Sequence, residues 1–222
     1  MKINLLSLVM VCALATARAE TNAVRHSCCA AKMTENAPAC FTGKSLYQLD
    51  STWTNDAGKA VTLASLRGRP QIVAMFFANC TYACPLLVYQ MQQIEATLPM
   101  SVRTNVGFTL VSFDSERDTP AALSAYRLAH KLDDGRWTLL RGSPGEVLEL
   151  GALLNVKFKK DSEGQFQHSN VITLLNADGE IAYQQLGLNT DSGELLRRAS
   201  ELVRAQPNAG VARPFLSVAS PQ

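Results

Sequence analysis

The chain has 222 residues, of which 47% are hydrophobic and 18% are charged, and its formal net charge is +2. This composition is typical of a globular protein with enough apolar residues for a hydrophobic core, and the length suits one domain with flexible ends. A charge so close to neutral argues against a nucleic-acid partner and against binding to an anionic membrane surface.

Residues 1–19 have the three parts of a secretory signal peptide. Lys2 supplies a positive charge, an apolar run follows at 3–15, and small residues stand at Ala17 and Ala19. A membrane-spanning helix needs about 20 apolar residues, so this run predicts a cleaved leader, with an uncleaved anchor as the alternative. We therefore expect an exported, periplasmic protein with no membrane span after signal cleavage.

Residues 20–45 are small and polar and show little periodicity, which predicts a flexible arm that contains cysteines. The arm concentrates soft metal donors, namely His26, Cys28, Cys29, Met33 and Cys40. Disulfide pairing, within the arm or between chains, is the alternative use of these cysteines in an exported protein.

Between residues 46 and 205, predicted strands and helices alternate. Short apolar runs predict strands, and capping signals such as Thr119-Pro120 and Ser143 with Glu146 predict helices. The strands fall at 71–77, 106–113, 137–140, 171–175 and 180–186, and the helices at 85–98, 119–132, 143–154 and 191–204, the last opened by Asp191. This order predicts an α/β thioredoxin-like fold, with a central mixed sheet, flanking helices and a C-terminal β-hairpin plus helix. Residues 206–222 are predicted to form a flexible tail.

Cys80 and Cys84 lie where the strand at 71–77 ends and the next helix begins. Open α/β sheets bind ligands at that edge, and a helix N-terminus lowers the pKa of a thiol. Two thiolates one helical turn apart can bind one soft metal ion or form a redox-active disulfide. A static disulfide or two packed thiols is the less specific alternative.

His168 precedes the strand at 171–175. Thioredoxin-type oxidoreductases place a cis-proline there, facing the cysteine pair, whereas this chain has no proline between Pro144 and Pro207. We therefore expect the imidazole to face both sulfurs and to complete a soft site that suits copper, particularly Cu(I). Structural zinc sites usually have four ligands. A capping or packing role is the alternative for a single histidine.

Asp114 and Asp118 belong to an acidic segment at the end of the strand at 106–113, on the same sheet edge as the cysteines. One interpretation is that these carboxylates orient the ligands or dock a partner. Helix capping by Asp118 within a solvated loop explains the pattern equally well.

Three features in this order resemble the Sco/SenC copper proteins: FFANCTYACP at 76–85, FDSERDTP at 113–120, and His168 ahead of a strand. The resemblance covers residues 45–205 and implies a thioredoxin-like Sco domain, assigned here to 46–205. It further implies one copper ion, Cu(I) or Cu(II), bound by Cys80, Cys84 and His168. The sequence departs from the usual pattern at Thr81 and Ser115, where prolines are common in the family.

The resemblance also implies a function, that of a metallochaperone for the binuclear copper centre of cytochrome c oxidase. Its partners would be the copper-centre subunit of a respiratory oxidase and an upstream thiol reductant. A second copper ion captured by the arm at 20–45 is a related hypothesis.

The alternative is a thiol–disulfide oxidoreductase that acts on exported proteins without metal, since Cys80 and Cys84 serve both chemistries. A third hypothesis is a thiol peroxidase of the same fold.

Overall fold

The computed structural model describes residues 41–206. The predicted signal peptide, the predicted arm as far as Cys40 with its donors, and the predicted tail from residue 207 lie outside this range. The helices are α1 (Ala83–Thr97), α2 (Met100–Arg103), α3 (Pro120–Ala129), α4 (Pro144–Leu153) and α5 (Gly193–Arg204). The strands are β1 (Trp53–Asn55), β2 (Ala60–Val61), β3 (Gln71–Phe76), β4 (Gly107–Ser112), β5 (Trp137–Arg141), β6 (Phe158–Lys160), β7 (Phe166–His168), β8 (Val171–Leu175) and β9 (Ile181–Leu186).

Within residues 41–206, seven strands form one mixed sheet in the order β2-β1-β5-β4-β3-β8-β9. β4 runs parallel to both β3 and β5, whereas β8 pairs antiparallel with β3 and with β9. β3 and β4 lie at the centre, and all their residues are buried, as their continuous apolar sequences predict. The predicted α/β order, with its terminal hairpin and helix, is confirmed.

Two helices, α3 and α4, start with the side-chain capping that the sequence predicted. The Thr119 hydroxyl accepts a hydrogen bond from the Ala122 amide at the start of α3. Ser143 and Glu146 form the predicted capping box of α4. The predicted cap of the last helix is wrong, because the N-cap residue of α5 is Ser192 rather than Asp191, and Ser192 makes no side-chain capping bond.

Two pairs of strands and the short helix α2 were not predicted. β1 and β2 extend the sheet beyond β5, to which β1 pairs antiparallel. β6 and β7 pair with each other as a separate two-stranded sheet. We call residues 158–168 the ligand hairpin, because His168 is the last residue of β7.

Burial in the described part of the chain begins at Ser45, after three exposed residues at 42–44. Ser45 is 1% exposed, and its hydroxyl accepts a hydrogen bond from the Tyr47 amide at 3.1 Å. The same hydroxyl donates to the carbonyl of Asp178 in the turn between β8 and β9. Among residues 41–206, no helix has the length and apolar content that crossing a bilayer requires.

Candidate metal centre

Cys80, Cys84 and His168 converge at the edge of the main sheet where β3 ends. One ligand atom from each residue lies within 4.8 Å of the other two. The Sγ atom of Cys84 is 3.6 Å from Nε2 of His168, and the backbone amide of Cys84 donates a hydrogen bond to Sγ of Cys80 at 3.3 Å. The fold thus brings together three side chains that the sequence predicted as one site.

The two cysteines differ in their environments. Cys80 lies in the turn after β3 and is half-buried, and its amide donates to the Phe77 carbonyl at 3.2 Å. Cys84 lies in the first turn of α1 and is fully buried. Burial raises the pKa of the Cys84 thiol well above its ordinary value, so the predicted lowering at the helix N-terminus is wrong for Cys84. Loss of hydration disfavours the thiolate more than the helix terminus favours it.

His168 is held in the neutral form that can bind a metal. Its burial lowers the pKa of the imidazole below the usual value, and a hydrogen bond to the Ser169 carbonyl acts weakly in the opposite direction. Nδ1 lies 3.2 Å from that carbonyl oxygen, which can only accept, so Nδ1 carries the ring proton in this contact. The lone pair of Nε2 therefore points towards Cys84.

Aromatic rings enclose the imidazole. The ring centroid of Phe113 is 5.0 Å from that of His168, and the Phe77 ring meets His168 edge-on at 6.3 Å. Phe158 and Phe166 of the ligand hairpin pack on Phe113 at 5.2 Å and 5.0 Å. These rings exclude water from one side of the site and lower its polarity. Sequence analysis did not assign them a role. Phe77 and Phe113 fall within the two motifs quoted above and Phe166 lies just before His168, whereas nothing in the sequence marks Phe158.

Asp114 and Asp118 are each 1% exposed, which contradicts the alternative of a solvated loop. Oδ2 of Asp118 accepts hydrogen bonds from the Ala78 amide at 2.9 Å and from the Ser112 hydroxyl at 2.5 Å. Asp118 thereby ties the cysteine turn to the end of β4, whereas Thr119 caps the following helix. Asp114 forms an ion pair with Arg117. Burial of both carboxylates leaves them unsuited to docking a partner directly.

Tyr126 of α3 is a further residue that sequence analysis missed. Its ring packs on Phe76 with a centroid distance of 4.9 Å. Its hydroxyl is buried and has no hydrogen-bond partner among the described residues. Burial raises the pKa of Tyr126, and the negative charges of Cys84 and Cys80 add to this shift. Ionisation of either thiol would therefore further disfavour ionisation of this hydroxyl.

The fold and the site together define a class of protein: a thioredoxin-like domain in which a dithiol and an imidazole meet at one sheet edge. Comparison with known proteins narrows this class. The family model described as SCO1/SenC matches residues 42–204. The chain belongs to the SCO1/SenC family.

Individual relatives agree with this assignment. The chain is 28% identical over 151 residues to the SCO1 protein homolog of Bacillus subtilis. The aligned region covers 65% of this chain and 77% of the relative. The copper-bound structure of ScoI from Arabidopsis thaliana has a TM-score of 0.59 and 23% identity, covering 69% of this chain and 96% of that one.

A third relative is BsSco, whose structure is described as showing a disulfide switch in a member of the Sco family of cytochrome c oxidase assembly proteins. Its TM-score is 0.60 at 24% identity, with coverage of 68% of this chain and 90% of that chain. These structural likenesses confirm the predicted thioredoxin-like fold.

Proposed function

We propose that this protein is a copper metallochaperone that carries one copper ion, as Cu(I) or Cu(II), on Cys80, Cys84 and His168. The observation that carries the proposal is the approach of the three ligand atoms to within 4.8 Å of one another. Two sulfurs and a neutral imidazole nitrogen are a soft donor set that suits Cu(I). Copper bound to a relative of the same fold supports the same cargo here.

The uneven burial of the ligands supports a site that releases its cargo. Cys84 is fully buried, whereas Cys80 is half-buried in a turn whose neighbour, Tyr82, is 77% exposed. A donor atom from a recipient protein can approach the metal on the Cys80 side and replace one sulfur at a time. The aromatic side, formed by Phe77 and Phe113, is closed to such an approach.

The recipient we infer is the copper-centre subunit of a respiratory oxidase, with the protein acting as an assembly factor for its binuclear copper centre. The Sco relative described as belonging to oxidase assembly proteins supports this choice. We further propose that residues 1–19 direct export, that delivery takes place in the periplasm, and that an upstream thiol reductant keeps both cysteines reduced.

A second candidate function is thiol–disulfide reduction of the same recipient, favoured by the difference between the half-buried Cys80 and the fully buried Cys84. The Cys80 thiolate would attack a target disulfide, forming a mixed disulfide and releasing one target thiolate. The Cys84 thiol then loses its proton and attacks Sγ of Cys80, which releases the second target thiolate and leaves a Cys80–Cys84 disulfide. The two electrons come from this pair, and the upstream thiol reductant restores them.

The test is a titration of the reduced protein with Cu(I), in competition with a chromophoric chelator. We expect one ion per domain at this site, and a large loss of affinity in Cys80→Ala, Cys84→Ala and His168→Ala. His130→Ala is the matched control, because His130 stacks on Tyr126 at 4.1 Å and is not part of the ligand cluster. Equal affinities in the wild type and the three ligand variants would overturn the proposal.

A further inference from the structure

The acidic segment after β4, residues 114–118, contains the basic residue Arg117, whose contacts extend to strand β7, the strand that carries His168. We propose that Arg117 is a positioning residue: it fixes the ligand hairpin, residues 158–168, against the domain and so sets the distance between His168 and the two sulfurs. The inference rests on the proposed copper site but concerns residues that do not touch the metal.

The first step is that the ligand hairpin is poorly anchored by its own backbone. β6 and β7 pair only with each other and are not strands of the main sheet. An isolated two-stranded hairpin is marginally stable in water. Backbone bonds to the rest of the domain flank the hairpin: the Val156 amide donates to the Gly151 carbonyl at 2.8 Å before it, and the Gly187 amide donates to the Asn170 carbonyl at 2.9 Å after it. The orientation of His168 therefore depends on side chains that hold the hairpin.

Arg117 makes the polar contact between the acidic segment and the turn of the hairpin. Its Nε donates to Oδ2 of Asp114, and its Nη2 donates to the Gly164 carbonyl. Its guanidinium also lies 6.0 Å from the ring centroid of Phe166. One planar side chain thus contacts the loop after β4, the hairpin turn and strand β7.

Gly164 is suited to this contact. Its φ of +77° lies in the region that favours glycine, and a Cβ placed there would lie 3.3 Å from Nη1 of Arg117. A side chain at this position would strain the turn and crowd the guanidinium. The turn therefore presents its carbonyl to Arg117 without obstruction.

Asp114 fixes the other end of the bridge. A buried carboxylate is costly unless it is paired and hydrogen-bonded, and Arg117 is its ion-pair partner. The Arg117 side chain is therefore held at one end by a carboxylate that is buried in the domain. The neighbouring ion pair of Lys160 with Glu116, at 2.5 Å, joins the same two elements but is largely exposed. Exposed pairs of this kind contribute little.

Aromatic packing is the competing explanation for the hairpin's position. Phe158 and Phe166 both pack on Phe113, which itself contacts His168. Such packing attracts the hairpin to the domain but is weakly directional, whereas the two hydrogen bonds of Arg117 define a direction. If packing alone sufficed, removal of the guanidinium would leave the imidazole in place.

The experiment compares Arg117→Met and Arg117→Lys with the wild type, using the intact mature chain, by Cu(I) competition titration. We expect Arg117→Met to weaken binding by about 10- to 100-fold, the usual effect of removing an outer partner of a ligand. Arg117→Lys keeps the charge but loses the two-pronged contact, so we expect an intermediate loss, and it serves as the test variant if the methionine variant does not fold. In the His168→Ala background, Arg117→Met should cause no further loss.

Arg127→Met is the control for loss of an arginine that forms an ion pair with an aspartate elsewhere in the domain. Arg127 pairs with Asp56 at 2.5 Å, and these side chains are 12% and 13% exposed. We expect this variant to lose stability without losing copper affinity. An affinity in Arg117→Met within twofold of the wild type, or an equal fall in the His168→Ala background, would overturn the inference.

A measurement without copper separates this inference from the proposed function. Amide hydrogen exchange of residues 158–168 in the reduced, metal-free protein should speed up in Arg117→Met and stay unchanged in Arg127→Met. If this result is obtained while neither wild type nor variant binds copper, the positioning role stands and the metallochaperone proposal fails. Unchanged exchange in Arg117→Met rejects the positioning role whatever the copper result.

Discussion

Nε2 of His168 lies 3.6 Å from Sγ of Cys84, although the two residues are 84 positions apart in the chain. The contact joins the first turn of α1 to the end of β7, two elements that share no backbone pairing. Disulfide exchange needs only the two sulfurs, whereas a soft metal ion uses the nitrogen as well. The imidazole therefore separates the two proposed chemistries.

Replacing His168 by alanine should weaken Cu(I) binding on the order of 100-fold while leaving disulfide reduction largely intact. The ring supplies a metal ligand, but the exchange reaction proceeds between Cys80 and Cys84. Competition titration checks the copper affinity, and the reduction rate of a model disulfide checks the exchange reaction. A variant with full copper affinity would favour the metal-free reductase.

Copper binding should strengthen as the pH rises from 6 to 9. Burial raises the pKa of the Cys84 thiol, so this sulfur is protonated throughout the range and must release its proton to the solvent on binding. Burial lowers the pKa of His168 below its usual range, so protons compete for this ring less than for a free imidazole and it adds less to the slope than the thiol does. We expect affinity to gain about tenfold per pH unit for each proton displaced.

The control for this pH dependence is a pair of variants. Cys84→Ala should flatten the slope, whereas His168→Ala should lower the affinity at every pH and keep the slope. Cu(I) competition titrations at four pH values give all three curves. A steep dependence that survives in Cys84→Ala would assign the released proton to another group.

Oxidation of the cysteine pair should abolish tight copper binding. A Cys80–Cys84 disulfide has no thiolate to offer, and both cysteines are free in the structure. Protein oxidised with diamide should bind at least about 100-fold more weakly than reduced protein, since two of three ligands are lost. Treatment with dithiothreitol, followed by its removal, should restore the site. Persistent tight binding after quantitative oxidation, measured by thiol titration, contradicts this account.

Asp118→Ala should destabilise the fold by about 1–3 kcal/mol, because it leaves the buried Ala78 amide and Ser112 hydroxyl without their shared acceptor. Asp118→Asn is the control, since an amide oxygen can still accept. Burial raises the pKa of Asp118, so the charge itself is unfavourable in the fold and its removal costs little. Urea unfolding at pH 7 measures both values. Equal stability of the alanine and asparagine variants would show that the hydrogen bonds do not matter.

Removal of residues 20–40 tests the predicted arm, whose donors lie outside the described residues. If the arm captures a second ion, the copper content under reducing conditions should fall from two per chain to one. The deletion stops at residue 40 rather than at 45, because buried Ser45 bonds to the Tyr47 amide and to the turn at Asp178. Serine variants of Cys28, Cys29 and Cys40 are the full-length control. Unchanged stoichiometry rules the second ion out.

The sequence predicted the three residues that converge in the structure because each sits at a recognisable boundary. The cysteines follow an apolar strand and open a helix, and His168 occupies a slot before a strand where related folds have proline. The ends of strands and helices are set by local residue chemistry, which can be recognised in a single sequence.

The sequence did not predict what depends on distant packing. β6 contains Lys159 and Lys160 and is too short to show periodicity, so the ligand hairpin becomes visible only through its packing on Phe113. The direction of the Cys84 pKa shift was missed for the same reason, since the helix position is local and burial is not. The burial of Asp114 and Asp118 was likewise hidden, because acidic residues in a loop usually face solvent.

The separation of β6 and β7 from the seven-stranded sheet has an evolutionary consequence. Insertions, deletions or substitutions between residues 158 and 168 can accumulate without breaking the hydrogen bonds between strands of the seven-stranded sheet. Changes confined to the ligand hairpin can therefore remove or reposition the imidazole, while Cys80 and Cys84 keep their places at the end of β3 and the start of α1.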